Sequence, residues 1–221
     1  MMFDPTTLHL LAVGLWETLY MTLFSTFLSY LIGLPLGLIL VVTDKTGIRP
    51  MVGVNAVLGF IVNFLRSVPF IILLVAVIPL TRFIVGTSLG STATIVPLVI
   101  GAAPFVARMV ESSIKEVDAG VIEAAQSMGA TPIQIVMKVL LPEARPSLVV
   151  GSAIAITTIL GYTAMAGFVG GGGLGTIAIN YGYYRYQSDM MLVTVLILVV
   201  IVQLFQEIGM KLAKIGDRRI K

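Results

Sequence analysis

Five stretches of this sequence stay apolar for the length of a bilayer crossing: residues 10–42, 56–80, 92–111, 148–169 and 190–210. A helix needs about 20 such residues, at ~1.5 Å of rise each, to cross the hydrocarbon. Lipid offers no partner for backbone N–H and C=O groups, so a spanning segment must satisfy them internally. The runs therefore predict an all-α integral membrane protein with five transmembrane helices. Composition agrees, with 57% of the 221 residues hydrophobic and 11% charged, against about a quarter charged in soluble domains. The first run is long enough to tilt or to extend past the bilayer. It is not read as a cleavable signal peptide, because no basic flank precedes it and it is too long for an apolar signal core.

Five spans put the termini on opposite sides. One side holds Lys45, Arg49, Lys115, Lys138, Arg145, Lys211, Lys214, Arg218, Arg219 and Lys221, and the other holds Arg82 and Arg185. The positive-inside rule assigns the first group to the cytoplasm, with the N-terminus outside and the C-terminus inside. The long polar insert between spans three and four, residues 116–146, then faces the cytoplasm.

That insert has a readable local structure. Asp118 is placed to cap a helix starting near Ala119, with Glu123 close to its positive end. Gly129 breaks that helix. Thr131 then caps a second helix with Pro132 at its first position. Ile133, Ile135, Val136, Val139 and Leu140 make the second helix partly amphipathic, and Pro142 is expected to end it. Two short helices meeting at a glycine form a knob suited to a groove on a partner. The plainer reading is a loop that only connects two spans.

The insert reads Glu123-Ala124-Ala125, three residues, Gly129, nine residues, Val139, one residue, Leu141-Pro142. This pattern resembles the "EAA loop" of ABC importer permeases. Elsewhere, Gly14-Leu15-Trp16-Glu17-Thr18-Leu19, Arg66-Ser67-Val68-Pro69-Phe70-Ile71, Gly101-Ala102-Ala103-Pro104-Phe105 and Gly172-Gly173-Leu174-Gly175 look like the permeases of bacterial methionine ABC importers. The similarity runs from about Gly14 to Met210. Val139 stands where the loop usually has Ile, a mild departure.

The resemblance implies one transmembrane domain over residues 1–221, in a multi-pass protein of the bacterial inner (plasma) membrane. Two copies would pair with two cytoplasmic ATPase subunits, docked through Glu123, Ala124, Ala125, Gly129, Val139, Leu141 and Pro142. An extracytoplasmic methionine-binding protein or lipoprotein would deliver L-methionine, and often the D-isomer, for import by alternating access. ATP and Mg would be used by the partner ATPase, with no cofactor bound by this chain. Permeases for other polar amino acids share the docking loop, so the substrate is the less specific part of the resemblance.

Polar groups inside the spans are expensive on insertion scales, at about 2.5–3.5 kcal/mol for a charge at the helix centre. Glu17, Arg66, Arg108 and Glu111 must therefore face protein, water or the interface. Arg108 and Glu111 share a helix face. Snorkelling to the headgroups, an ion-pair network that closes a gate, and substrate contact are the three readings of Arg66 and Arg108. Pro69, Pro79, Pro97 and Pro104 are read as ordinary packing or as kinks lining a pathway. Gly151, Ala153, Ala155, Gly161 and Gly167 make the fourth span small-faced, which permits close helix approach. On that ground the span is expected at a dimer interface along the pathway, with Tyr162 and Met165 as pathway candidates. The run Gly170-Gly171-Gly172-Gly173 lies in an expected external connection, as a gate, a contact for the binding protein, or a plain turn.

The charge pattern has no basic stripe for nucleic acid. Cys is absent and His9 stands alone, so no thiolate or His cluster for a metal is expected. No Walker, kinase or nucleophile motif is present, so the chain is expected to be a permease and not itself an ATPase. A secondary carrier is the other transport class, but internal repeats and midplane coupling carboxylates are not apparent.

Overall fold

The computed structural model describes residues 4–216 and is helical throughout, with no strand among the described residues. Arg218, Arg219 and Lys221 of the charge argument lie outside them. The four longest helices are α1 (Pro5–Val42), α5 (Ser91–Lys115), α9 (Arg145–Ala166) and α11 (Ser188–Gly216). They carry four of the five expected spans, and each lies in a segment apolar and long enough to cross a membrane. Pro35 in α1, and Pro97 and Pro104 in α5, sit inside unbroken helices.

The second expected span, 56–80, is not one straight rod. α2 (Val52–Ser67) and α3 (Phe70–Ala76) meet at 101° and make the fifth span only when the bent pair is taken together. The cause is local. The ring of Pro69 pushes Val68 away from helical geometry, and Pro69 itself is extended, at φ −55° and ψ 131°. Its carbonyl accepts from Ile72 and Leu73 N–H, so Pro69 starts a helix instead of kinking one. A short α4 (Ile78–Val85) follows, with Pro79 in its first turn.

The described residues group into two compact units. One draws on Met1–Leu28, Val68–Ala102 and Ile156–Gln206, and the other on Ser29–Ser67, Ala103–Ala155 and Glu207–Lys221. The second unit carries every described Lys and Arg except Arg82 and Arg185.

In the second unit, α1 and α5 come into close contact. A Cβ on Gly37 would lie 2.5 Å from the Ala107 carbonyl oxygen and 2.7 Å from the Val110 Cβ. One turn earlier, a Cβ on Gly33 would lie 2.7 Å from the Ala103 oxygen. This four-residue glycine spacing lets two helix backbones approach.

Val106, Val110 and Ile114 recur at helical spacing on α5 and form one core with Val117, Ala125, Ile135, Leu140, Ala144 and Ala155. The first unit has its own two cores. One gathers Met21, Phe70, Leu73, Leu98 and Ile159, and the other Leu11, Leu160, Leu174, Ile177 and Ile201.

Candidate functional site: the polar insert and the charged cleft

The insert begins as the sequence predicts. Asp118 accepts from Gly120 N–H at 2.7 Å and caps α6 (Ala119–Ser127). Gly129 ends it at φ +78°, a backbone setting that favours glycine. The Ala130 N–H closes the turn onto Ala125 C=O at 3.1 Å. Thr131 caps α7 (Pro132–Ile135) in a reciprocal box. Thr131 Oγ1 accepts from Gln134 N–H at 3.4 Å, and Gln134 Oε1 accepts from Thr131 N–H at 2.8 Å.

Pro142 does not end the second helix. The chain widens into a π-helical turn over Val136–Leu140, continues as α8 (Leu141–Glu143), and restarts as α9 after Ala144. Leu141 N–H reaches back to Val136 C=O. The wider turn makes room for a proline ring that would clash with the carbonyl four residues back in a regular helix. Pro142 is thus a joint between the insert and α9.

The E-A-A triplet splits by environment. Ala125 is buried in the core of α5, with Ile135 and Leu140. Glu123 and Ala124 are exposed. Met128 and Ile133 stand out at 81% and 77% exposure on the same knob, and Met137 is also exposed. Gly129 and Pro142 are exposed, and Val139 and Leu141 are half-buried against the core. The insert is therefore a seated knob with apolar and acidic groups on its outer surface, not a loose connection.

Arg66, Arg108 and Glu111 come together with Phe105, Met109, Ser112 and Lys115 along an open cleft of about 450 Å³. Arg108 Nη1 pairs with Glu111 Oε2, Arg108 Nε donates to Asn63 Oδ1 at 3.1 Å, and Nη2 donates to Gly59 C=O at 3.3 Å. Lys115 Nζ donates to Glu111 Oε1 at 2.9 Å and to Asp44 Oδ2 at 3.0 Å. The buried Glu111 carboxylate is thus matched by two cations, as a buried charge requires. Arg108 and Glu111 are thus an ion pair, whereas Arg66 is exposed at the cleft's edge. Asp44, Asn63 and Lys115 were not singled out from the sequence as members of this network. Lys115 lies four residues after Glu111, a legible spacing; Asp44 lies 71 positions from Lys115 and gave no signal.

Lys115's hydrogen bond, then the Thr46 N–H, hold the Asp44 carboxyl below the usual carboxylate range. A lowered carboxylate stabilises the fold above its ordinary pKa and loses that contribution as pH falls through the lowered value. Asp44→Asn should therefore lower thermal stability in detergent near pH ~7 by no more than about 1 kcal/mol, since the pair is partly solvated. The gap to wild type should close in acid. A gap that persists unchanged at pH ~2 would separate Asp44's role from its charge.

The remaining pathway candidates lie elsewhere. Pro104 is buried within α5. Tyr162 stacks on Phe70, with centroids 4.1 Å apart and planes at 5°. Met165 is exposed. The small residues of the fourth span are largely occupied within the chain. Gly151 faces Met109, Ala153 closes against Gly209 of α11, and Gly167 closes against Gly175. Gly161 has open space over it. The stretch read as an external connection after Gly170 is mostly helical: α10 (Gly173–Ile177) runs into a π-helical turn over Ala178–Tyr183.

The model of the family described as "binding-protein-dependent transport system inner membrane component" matches residues 33–221. The chain belongs to that family. It is a multi-pass permease subunit of an inner-membrane transport system, and the catalytic ATPase of such a system is a separate subunit.

The chain is similar to a probable D-methionine transport system permease protein of Vibrio cholerae, 52% identical over 95% of this chain and 93% of that protein's length. The D-methionine transport system permease protein of Escherichia coli K12 is 55% identical over 72% of this chain and 73% of its own length. A solved structure described as an inward-facing conformation of the MetNI methionine ABC transporter has a TM-score of 0.96. It is 49% identical and covers 98% of this chain and 100% of that one. An amino acid ABC transporter, at a TM-score of 0.73 and 22% identity, shares the fold.

Proposed function

We propose that this chain is the permease subunit of an ATP-driven methionine importer. One observation carries the reading: identity of 52% over 95% of the chain to a permease named for D-methionine transport. Two copies form the membrane part, the whole of residues 1–221 acting as one transmembrane domain, and each is driven by a cytoplasmic ATPase that uses ATP and Mg. An extracytoplasmic methionine-binding protein or lipoprotein presents the substrate.

The N-terminus lies outside, which the placement of Lys and Arg in the loops supports. The insert then docks on the ATPase through Glu123, Ala124, Ala125, Gly129, Val139, Leu141 and Pro142. What supports this is the seating of Ala125 in the core while Glu123, Ala124, Met128 and Ile133 remain exposed. Binding of ATP draws the paired knobs together and favours the outward-open state, and hydrolysis returns the inward-open one. Nucleotide shifts this equilibrium only by binding one state better. Arg66, Pro69, Pro104, Arg108, Glu111, Tyr162 and Met165 are the candidate pathway or gate residues, with the Arg108–Glu111–Lys115 cluster as a lock in one state.

Uptake of labelled methionine into proteoliposomes holding permease, ATPase and binding protein tests this. Uptake should require ATP and be competed by unlabelled methionine but not by arginine or glutamine. ATP-driven uptake of another amino acid instead would discard the substrate, and uptake by the permease alone would discard the mechanism.

A further inference from the structure

A carboxylate inside an apolar span marks a function unless its partner explains it. Glu17 lies within α1, and its partner is the backbone of the glycine run. Glu17 Oε2 accepts from Gly173 N–H at 2.6 Å, and Thr18 Oγ1 accepts from Leu174 N–H at 2.9 Å. From the other side, Thr94 Oγ1 lies 3.1 Å from the Gly171 carbonyl oxygen it donates to, and Gly90 N–H donates to Gly170 C=O at 2.9 Å.

The run leaves no space for side chains. A Cβ on Gly173 would lie 2.6 Å from Thr18 Oγ1, and one on Gly171 would lie 2.7 Å from Thr94 Oγ1. Gly170, Gly172 and Gly173 all take positive φ, at 77°, 84° and 72°. A segment without side chains has only its N–H and C=O groups as handles. The glycines themselves can be released by parting these hydrogen bonds, with no side chain of their own to unpack, while Leu174 next to them stays anchored in the core. The bond to Glu17 is charge-assisted, the stronger kind.

We propose that Glu17 and Thr18 latch the Gly170–Gly173 segment, and that the latch is made in the conformation described here and parted in the ATP-bound state. Glu17 is then a positioning residue for transport, acting through the segment and not on substrate. The inference rests on the ATP-driven importer reading above.

Hydrogen exchange of the peptide covering Gly170–Thr176 tests the latch in the whole complex in nanodiscs. In wild type, the Gly173 and Leu174 amides should exchange slowly without nucleotide and about tenfold faster after ATP–vanadate trapping, the scale of one hydrogen bond to a charged group. Glu17→Ala should exchange fast in both states. It should raise ATP hydrolysis in the absence of binding protein by about tenfold and lower methionine taken up per ATP. Glu17→Gln keeps an acceptor oxygen and should restore slow exchange and coupling in part, a rescue that mere loss of folding would not show. Thr18→Val carries the same test where Glu17→Ala does not assemble. Equal protection in both nucleotide states of wild type, or unchanged uptake per ATP in Glu17→Ala or Thr18→Val, overturns the latch. ATP-dependent uptake by wild type in the same preparation reads separately on the importer.

Discussion

Glu123→Arg should abolish ATP-driven uptake while leaving the permease folded. Glu123 is exposed on α6, so the substitution displaces no packed side chain. Its cost to the helix is confined to placing a cation nearer the positive end, about 0.3–1 kcal/mol. Across an interface, a charge of the wrong sign costs several kcal/mol, enough to weaken docking about 100-fold or more. The ATPase should therefore fail to co-purify, and uptake should vanish, while the thermal unfolding of the permease in detergent hardly moves. Retention of the ATPase at wild-type stoichiometry would remove Glu123 from the docking surface. Ala125→Glu is the contrasting variant. It should damage the fold itself, because Ala125 is seated against α5.

Gly37→Leu should prevent the second unit from assembling at all. The Cβ alone would meet the Ala107 carbonyl oxygen at 2.5 Å and the Val110 Cβ at 2.7 Å. Backbone cannot give way as a flexible side-chain tip does, so α1 and α5 would have to separate. That separation would open the packing around Val106 and Val110, of which the first is wholly buried. Overpacking of a close-packed interior costs about 1–3 kcal/mol even where side chains adjust, and here backbone stands in the way. Little monodisperse protein should survive extraction, and what remains should melt well below wild type. Gly53→Leu, at a position with open space above it, serves as the matched control and should be tolerated. Equal melting of the Gly37 and Gly53 variants would show that the α1–α5 approach adapts.

Much of the architecture was legible because lipid imposes a length rule. α1, α5, α9 and α11 follow from apolar run length alone, and Asp118, Gly129 and Thr131 mark the insert's helices by local chemistry that acts within three or four residues. Three features escaped that logic. The 101° break at Pro69 lies inside a run long enough to read as one straight span, and the conformational demand of proline on Val68 is what marks it. The helix passes Pro142 through a π turn, a backbone adjustment that no side-chain pattern announces. Gly173, the partner of Glu17, lies 156 positions away in sequence, and Asp44, the second partner of Lys115, lies 71 away, so no local spacing announces either contact. The small residues of α9 were legible as a packing surface. Which helix fills it was not, because Gly209, which closes on Ala153, lies 56 positions further along the chain.

The seating of the insert also has a mechanical meaning. Ala125, Ile135 and Leu140 are bedded among Val106, Val110 and Ile114, and a close-packed interior is stiff and transmits strain. There is no slack to take up between the knob and α5. A tug on the knob's outer surface would be felt at once along the helix that carries Arg108 and Glu111, as a handle fixed to a door and not as a rope tied to it.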